Sequence, residues 1–453
     1  MKQNKIWFLI SSIFIIIIIA VPVGWILHQE NNPNGDDNEP SFPDESVGLP
    51  ELTWQVNLKD FATGLLAKEE RVYTIDISGN IICYDTTDGH VVWEGSVGGY
   101  FSEGLVVNQD RVYGGAGVEV VGCLDIRTGS FYWGLAEIPN IKYYKVAPEN
   151  FTVVDGRLFV KTNAFSVFNA TTGKLLWLVE DWGNLPGQSE QLWSFNGWAF
   201  ENDLLICSSS GSEGIHINRL NPDDGTIMWA TEGLFFDSPV VYHEQVIIKN
   251  SSKAEILSLD ASSGKKLWSY DVGATICSLK EYNGQLLFFV SDNCFYALNL
   301  DNGTLAWKSA VDSQEITALV NDDNPLEGLP VLIDQQKQTM VGVVAVTTQD
   351  IIDEHHVEDK HYGLLCNLDL NNGNVVWTEH FSGQGDISNE YLVFDYAATR
   401  NHIYLTDINE LLIFDKQTGL LIETQHFEHK ITAPTVENEK AFVAADLWLF
   451  AYK

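Results

Sequence analysis

The ten residues LDIRTGSFYW, at positions 124–133, decide the fold of this chain because their pattern returns along most of its length. The pattern is an Asp or Asn, a glycine four residues later, and a tryptophan four residues after the glycine. LDASSGKKLW at positions 259–268 repeats it closely, and an eighth copy, with Asp415 and Gly419, has Glu423 in place of the tryptophan. The seven complete copies are Asp85, Gly89, Trp93; Asp125, Gly129, Trp133; Asn169, Gly173, Trp177; Asn221, Gly225, Trp229; Asp260, Gly264, Trp268; Asn299, Gly303, Trp307; and Asp369, Gly373, Trp377.

Each residue type in this motif suits a turn between two strands. An Asp or Asn side chain accepts backbone N–H hydrogen bonds from its own turn, and glycine adopts the positive φ that closes the turn. The following tryptophan can bury roughly 150–250 Å² against a neighbouring unit. Alternating apolar residues precede the turns, as at 71–75 and 80–84. The motif therefore predicts antiparallel strands joined by tight turns.

The spacing of the motif indicates how the strands are grouped. Successive motif tryptophans are 40, 44, 52, 39, 39 and 70 residues apart. Four short strands with their turns need about forty residues, the period of a β-propeller blade. Trp54 lies 39 residues before Trp93, and apolar segments at 431–436, 441–445 and 447–452 read as three further strands. A strand near Trp54 would complete that last blade and remove an exposed sheet edge.

The expected fold is therefore all-β: a single β-propeller of eight or nine four-stranded blades over residues 51–453, closed by N- and C-terminal strands. Eight complete units and one split unit give nine blades. The 70-residue interval and Glu423 leave eight open.

The segment before the propeller predicts a membrane anchor. Residues 6–28 contain an uncharged run of 22 residues, long enough for a transmembrane helix, after a short tip at 1–5 that carries Lys2 and Lys5. No Lys or Arg follows until Lys59, which predicts a cytoplasmic N-terminus and an extracytoplasmic propeller. Residues 29–50 are acidic and contain four prolines, as in an extended linker. A cleaved signal peptide remains the alternative.

Charge and cysteine usage exclude several functions. The net charge is -36, and without a basic cluster we expect no nucleic-acid partner. The six cysteines form no CxxC motif and no adjacent pair, which argues against the common zinc, haem and thioredoxin sites. Cys83 and Cys123 each precede a motif Asp by two residues, and we expect them to be small core residues.

Residues 54–453 resemble the pyrroloquinoline-quinone-like propeller repeat family, whose blade motif ends in Ala-x-Asp-x-x-Thr-Gly-x-x-x-Trp. The plan is also similar to that of scaffold lipoproteins of outer-membrane barrel assembly. This resemblance implies a non-catalytic scaffold that binds proteins or cell-surface material. The family's quinone-dependent alcohol dehydrogenases imply an alternative, an oxidoreductase with pyrroloquinoline quinone, calcium, a catalytic Asp and a disulfide between adjacent cysteines. Because such cysteines are missing, we expect no catalytic residues and no cofactor.

Two insertions, near 180–200 and 320–362, contain the candidate binding residues. The first carries Trp182, Trp193 and Trp198, which either fill that blade or form a partner surface. The second is either a solvated charged loop or a metal site, because it combines imidazoles and carboxylates. Its candidate ligands are Asp353, His355, His356, Glu358 and His361. A metal-dependent surface protein is thus a third functional alternative.

Overall fold

The computed structural model describes residues 48–98, 102–116, 120–134, 151–161, 164–180, 194–201, 203–211, 214–233, 238–311, 327–353, 356–385, 395–407 and 409–453. Regular structure in these ranges is entirely β. None of the described residues belongs to a helix that could span a membrane. The segments predicted at 1–5 and 6–28 lie outside the described residues, as does most of the linker at 29–50.

The strands form nine four-stranded sheets. This confirms the predicted propeller and shows that it has nine blades. β1 (Leu52–Asn57) comes first and is followed by eight blades, each a meander of four consecutive strands. Blades 1 to 4 contain β2 (Ala62–Lys68), β3 (Arg71–Asp76), β4 (Asn80–Asp85) and β5 (Val91–Ser96); β6 (Ser102–Asn108), β7 (Arg111–Ala116), β8 (Val120–Asp125) and β9 (Phe131–Gly134); β10 (Phe151–Val154), β11 (Arg157–Lys161), β12 (Ala164–Asn169) and β13 (Leu175–Glu180); and β14 (Ser194–Glu201), β15 (Leu204–Gly211), β16 (Gly214–Leu220) and β17 (Ile227–Glu232).

Blades 5 to 8 follow the same order. They contain β18 (Val240–Tyr242), β19 (Gln245–Asn250), β20 (Glu255–Asp260) and β21 (Lys266–Asp271); β22 (Ile276–Tyr282), β23 (Gln285–Val290), β24 (Cys294–Asn299) and β25 (Leu305–Ala310); β26 (Glu327–Asp334), β27 (Thr339–Asp353), β28 (His356–Asp369) and β29 (Val375–Gly385); and β30 (Asp395–Ala398), β31 (His402–Asp407), β32 (Glu410–Asp415) and β33 (Leu421–His426).

Blade 9 is shared by the two ends of the propeller, as predicted. It contains β34 (Thr435–Glu437), β35 (Lys440–Ala445) and β36 (Trp448–Tyr452), and its fourth strand is β1. β1 runs antiparallel to β36, with Gln55 opposite Phe450. Beyond the strands, the backbone N–H of Glu51 donates to the Lys453 carbonyl at 2.9 Å. The first strands of most successive blades contact one another, and β34 contacts β2, so first strands surround the axis and fourth strands lie outside.

The hydrophobic core lies between the faces of adjacent blades. One cluster joins Tyr73 and Cys83 of blade 1 to Val112 and Leu124 of blade 2, and all four are fully or almost fully buried. Cys83 and Cys123 are buried, as predicted for small core residues, and all six cysteines are free thiols, of which five are buried. Because the second and third strands of most blades are buried on both faces, they are almost continuously apolar.

The two predicted insertions contribute strands to their blades. β14 begins at Ser194 and is the first strand of blade 4, so the end of the 180–200 segment is part of a blade. In the 70-residue interval, β27 and β28 are 15 and 14 residues long and continue as one hairpin, with residues 339–353 and 356–369 in extended conformation. The single charged loop expected near 320–362 is therefore, in this part, a long β-hairpin.

Candidate functional site

The motif Asp and Asn side chains brace their own turns. Asp125 Oδ1 accepts the backbone N–H groups of Arg127 and Thr128, each at 2.9 Å. The hydroxyl of Tyr132 donates to the other carboxylate oxygen, and these hydrogen bonds hold the pKa of Asp125 below its usual range. Asn169 accepts the N–H groups two and three residues later in the same way. These polar side chains are therefore used inside the turns.

Each motif tryptophan lies on the motif glycine of the next blade. Gly129 has a φ of 67°, and a Cβ added there would lie 2.5 Å from the Trp93 ring. The Trp93 indole N–H donates to the Ile126 carbonyl of the same turn at 2.8 Å. The other contacts are Trp54 on Gly89, Trp133 on Gly173, Trp177 on Gly225, Trp229 on Gly264, Trp268 on Gly303, Trp307 on Gly373 and Trp377 on Gly419. The motif is thus a repeated lock between blades.

Ring closure explains why the eighth copy has no tryptophan. Glu423 lies on β33, opposite Ile413, in the position that tryptophan occupies on other fourth strands. Its neighbour is blade 9, where β36 and β1 come from opposite ends of the chain and no motif turn joins them. A tryptophan there would find no glycine to pack on. Nearby, the Tyr452 hydroxyl donates to Gln425 Oε1 at 2.6 Å, which forms a polar contact between blades 8 and 9.

A band of apolar side chains is exposed on the outer strands. Phe131 is 56% exposed, Met228 54% and Val376 55%, and each follows a motif glycine by two or three residues. We call the set the outer apolar band, and its members are Val91, Phe131, Leu176, Met228, Leu267, Leu305, Val376 and Leu421. Among the described strands, each fourth strand pairs only with the third strand of its own blade. Its other edge is therefore open, and the band follows these open sheet edges. Exposed apolar residues beside an open strand edge are suited to protein contacts.

The predicted partner tryptophans are only partly described. Trp182 and Trp193 lie outside the described residues. Trp198 is on β14 and packs inside the propeller, with ring centroids 5.6 Å from Phe159 and 5.4 Å from Phe165. It is thus a partly buried residue that packs against the core between blades 3 and 4.

The predicted metal ligands are spread along the β27–β28 hairpin. His355 lies outside the described residues, and only the backbone of the other four is described. Asp353 is the register partner of His356, Glu358 pairs with Asp350, and His361 pairs with Thr347. The backbone thus places these residues along several rungs of one hairpin.

A different acidic group meets the distance requirement for a metal. Ligand atoms of Asp85, Asp88 and His90 lie within 4.8 Å of one another on the motif turn of blade 1. Asp88 and His90 are exposed and hydrogen-bonded to each other at 2.6 Å, while Asp85 also pairs with Arg71 at 2.6 Å. Sequence reasoning assigned Asp85 to the turn and did not consider its neighbours; the signal was the DTTDGH sequence at 85–90.

The residues described do not fit a quinone site of the dehydrogenase kind. The six free cysteines stand apart from one another, so none forms the disulfide between adjacent cysteines that the resemblance implies. Within the described ranges, the acidic and histidine group close enough for a metal lies on a turn leading to an outer strand, away from the first strands around the axis. No step of chemistry is therefore assigned to a quinone here.

Nine four-stranded blades, with the tryptophan–glycine contact at eight of their nine junctions, define a β-propeller of the pyrroloquinoline-quinone-like repeat class. The family model described as outer membrane protein assembly factor BamB matches residues 50–177 and 213–363, more than half of the sequence, and the chain belongs to this family.

Relatives and solved structures agree with this class. The chain is 24% identical over 285 residues to outer membrane protein assembly factor BamB of Yersinia pestis, matching 60% of this chain and 64% of that protein. It is 22% identical over 358 residues to tetrathionate hydrolase of Acidithiobacillus ferrooxidans, matching 71% and 68%. The structure of quinohemoprotein alcohol dehydrogenase ADHIIG from Pseudomonas putida HK5 shares the fold, with a TM-score of 0.52, 12% identity, and coverage of 90% of this chain and 77% of that one.

Proposed function

We propose that this chain is a membrane-anchored, extracytoplasmic β-propeller that binds other proteins as a non-catalytic assembly platform. The observation that carries the proposal is the outer apolar band, because burial of such side chains is the main driving force for protein association. Membership of a family described by an assembly factor supports the same function. The motif carboxylates and amides give further support, since they brace turns in the blades.

Partner binding is best tested by photo-crosslinking from defined positions in native membranes. A photoreactive phenylalanine analogue replaces Phe131, Met228 or Val376 in the full-length chain, one position at a time. As the control, the same analogue replaces Lys253, whose side chain is 70% exposed on the β19–β20 turn of blade 5. We expect discrete protein adducts from one or more of these band positions and none from position 253. Adducts from neither set, or equally from both, would contradict the platform.

If the partner binds through the outer apolar band, a charge introduced into the band should weaken binding. Phe131→Glu places a carboxylate where the partner would bury an apolar surface, which costs several kcal/mol of binding when the charge is unpaired. The side chain is exposed in the free protein, so folding should not suffer. The expected result is loss of the crosslinked adduct with an unchanged melting temperature.

Membrane anchoring is the second part of the proposal. It is supported by the uncharged run within residues 6–28 and by the lysines at 2 and 5 before it. The full-length chain should remain with membranes after alkaline extraction, whereas a chain starting at residue 29 should be released. Release of the full-length chain would exclude an integral anchor. Cleavage of the propeller by a protease added to intact cells would test whether it is extracytoplasmic.

Two alternative functions have direct tests. A quinone-dependent oxidoreductase, suggested by the dehydrogenase fold relative, requires a stable absorbance band after reconstitution with pyrroloquinoline quinone and calcium. A metal-dependent surface protein requires zinc or calcium to raise the melting temperature, since a ligand that binds only the folded state stabilises it. For the latter, Asp88→Asn in the blade 1 turn should abolish any shift that arises from Asp85, Asp88 and His90.

A further inference from the structure

A cleft of about 500 Å³ lies where blades 7, 8 and 9 meet. Its walls are four turns: the β26–β27 turn of blade 7, the β30–β31 and β32–β33 turns of blade 8, and the β34–β35 turn of blade 9. The charged residues that line it are Asp334, Lys337, Arg400, Lys416 and Glu439. Its volume lies within the roughly 300–1,000 Å³ that is usual for small-molecule sites.

The charge of this cleft is opposite to that of the chain. The whole sequence has 26 basic and 62 acidic residues, yet three cations and two anions line this cavity. Lys416 Nζ lies 3.2 Å from Asp334 Oδ2, and both side chains are only 16% exposed. The cleft therefore carries a net positive charge on a strongly acidic protein.

Both acidic groups are already engaged. Burial alone would raise the pKa of Asp334, but the Lys337 backbone N–H and the Lys416 ammonium outweigh it and hold this pKa below its usual range. Asp334 thus stays ionised and neutralises Lys416. Glu439 Oε2 accepts the backbone N–H of Arg400 at 2.6 Å. The Lys337 ammonium and the Arg400 guanidinium have no side-chain partner among the described residues.

The walls are held in place by bonds that cross between turns and blades. The ion pair from Asp334 to Lys416 joins blade 7 to blade 8, and the bond from Arg400 to Glu439 joins blade 8 to blade 9. Within blade 8, the Lys416 backbone N–H donates to the Asn401 carbonyl at 2.8 Å, linking its two turns. A site whose walls are fixed before binding loses less entropy when a ligand arrives.

A comparable cleft between blades 1 and 2 lacks this imbalance. It has a volume of about 400 Å³ and contains two arginines, Arg71 and Arg127, against Glu69 and Asp110. Arg71 is also paired with Asp85 at 2.6 Å. A net positive charge is therefore a property of the cleft at blades 7 to 9 that the cleft between blades 1 and 2 does not share.

We propose that the cleft at blades 7 to 9 binds an oxyanion, a phosphate or carboxylate group on a small molecule. The planar guanidinium of Arg400 can donate two parallel hydrogen bonds to such a group, and Lys337 adds a point charge from the neighbouring blade. The Lys416–Asp334 pair supports the wall between them. This site is independent of the outer apolar band, so its failure would leave the platform proposal unaffected.

The test is calorimetric titration of the full-length chain with inorganic phosphate and, separately, with citrate, at low ionic strength. We expect saturable binding of at least one anion, weakened by added sodium chloride because surface charges are screened by salt. Phosphate binding alone would assign the site to phosphates, and citrate binding alone to carboxylates. Absence of saturable binding by either would overturn the proposal.

Variants locate the binding. K337Q and R400Q together remove both cations that lack a side-chain partner among the described residues, and we expect the affinity to fall by roughly tenfold or more because charge-assisted hydrogen bonds are lost. Neither side chain is bonded to the described part of the propeller, so circular dichroism should remain unchanged. K253Q removes a cation from the distant β19–β20 turn and should leave the affinity unchanged. Equal weakening by K253Q, or none by K337Q with R400Q, would refute a site in this cleft.

Discussion

Replacing the motif glycine of blade 2 by alanine, Gly129→Ala, should destabilise the propeller strongly. Alanine at a φ of 67° is strained, which costs about 1–2 kcal/mol. Its Cβ would also lie 2.5 Å from Trp93, which is 7% exposed and bonded to the same turn, so the ring has little room to move. Overpacking of this kind costs about 1–3 kcal/mol. Together these terms predict a loss of about 2–5 kcal/mol in the free energy of unfolding.

Gly156→Ala is the matched control for this prediction. Gly156 closes the β10–β11 turn with a φ of 72°, but nothing lies within 4 Å of its added Cβ. This variant should therefore lose only the cost of the strained backbone, about 1–2 kcal/mol of the free energy of unfolding. Urea unfolding followed by tryptophan fluorescence gives both values. Equal losses in the two variants would refute the lock between blades, because only Gly129 has a tryptophan against it.

Three further predictions concern the locks and one buried acid. Trp307→Phe should lower the free energy of unfolding by about 1–3 kcal/mol more than Trp377→Phe, as measured by urea unfolding. The reason is that the Trp307 indole donates to a carbonyl at 2.7 Å, whereas the Trp377 indole has no partner among the described residues. Equal losses in the two variants would contradict this. Glu423→Trp should give no stabilisation, since blade 9 offers no motif turn; a clear rise in melting temperature would show that the joint is built otherwise. Asp407 is 4% exposed, and burial raises its pKa to about 7, so the folded state holds a proton that the unfolded state has released. Stability should therefore fall between about pH 4 and about pH 7, by up to about 1.4 kcal/mol per pH unit, and Asp407→Asn should remove that fall; parallel profiles for wild type and variant would count against it.

The fold could be predicted because its main determinant is local. Asp125, Gly129 and Trp133 lie within nine residues, and the same spacing repeats often enough to reveal the blade period. The one departure, Glu423, looked like decay of the motif and cast doubt on the number of blades. The structure gives it a cause, because the next blade is built from both ends of the chain and has no glycine turn at that joint.

The candidate sites could not be read from the sequence in the same way. The cleft at blades 7 to 9 combines turns from Asp334 to Glu439 that meet only when three blades pack. Because Trp198 stands outside the motif, the sequence left open whether it fills its blade or binds a partner, and only the structure shows that its ring packs beside Phe159. Conversely, Phe131 belongs to a motif strand and is exposed because that strand is the outermost. Exposure depends on tertiary position, which residue type alone does not specify.

The platform proposal depends on a closed ring, and closure by β1 against β36 is tested most directly by a cross-strand disulfide. Asn57 and Trp448 are register partners and both are exposed. Opposite residues in a sheet have Cβ atoms about 4.5–5.5 Å apart, close to disulfide range. Asn57→Cys with Trp448→Cys should form a disulfide under mild oxidation, detected by mass spectrometry of the joined peptides, whereas Asn57→Cys with Lys253→Cys should not. If the first pair stays reduced, or both pairs link equally, the ring is not closed by the strands of blade 9.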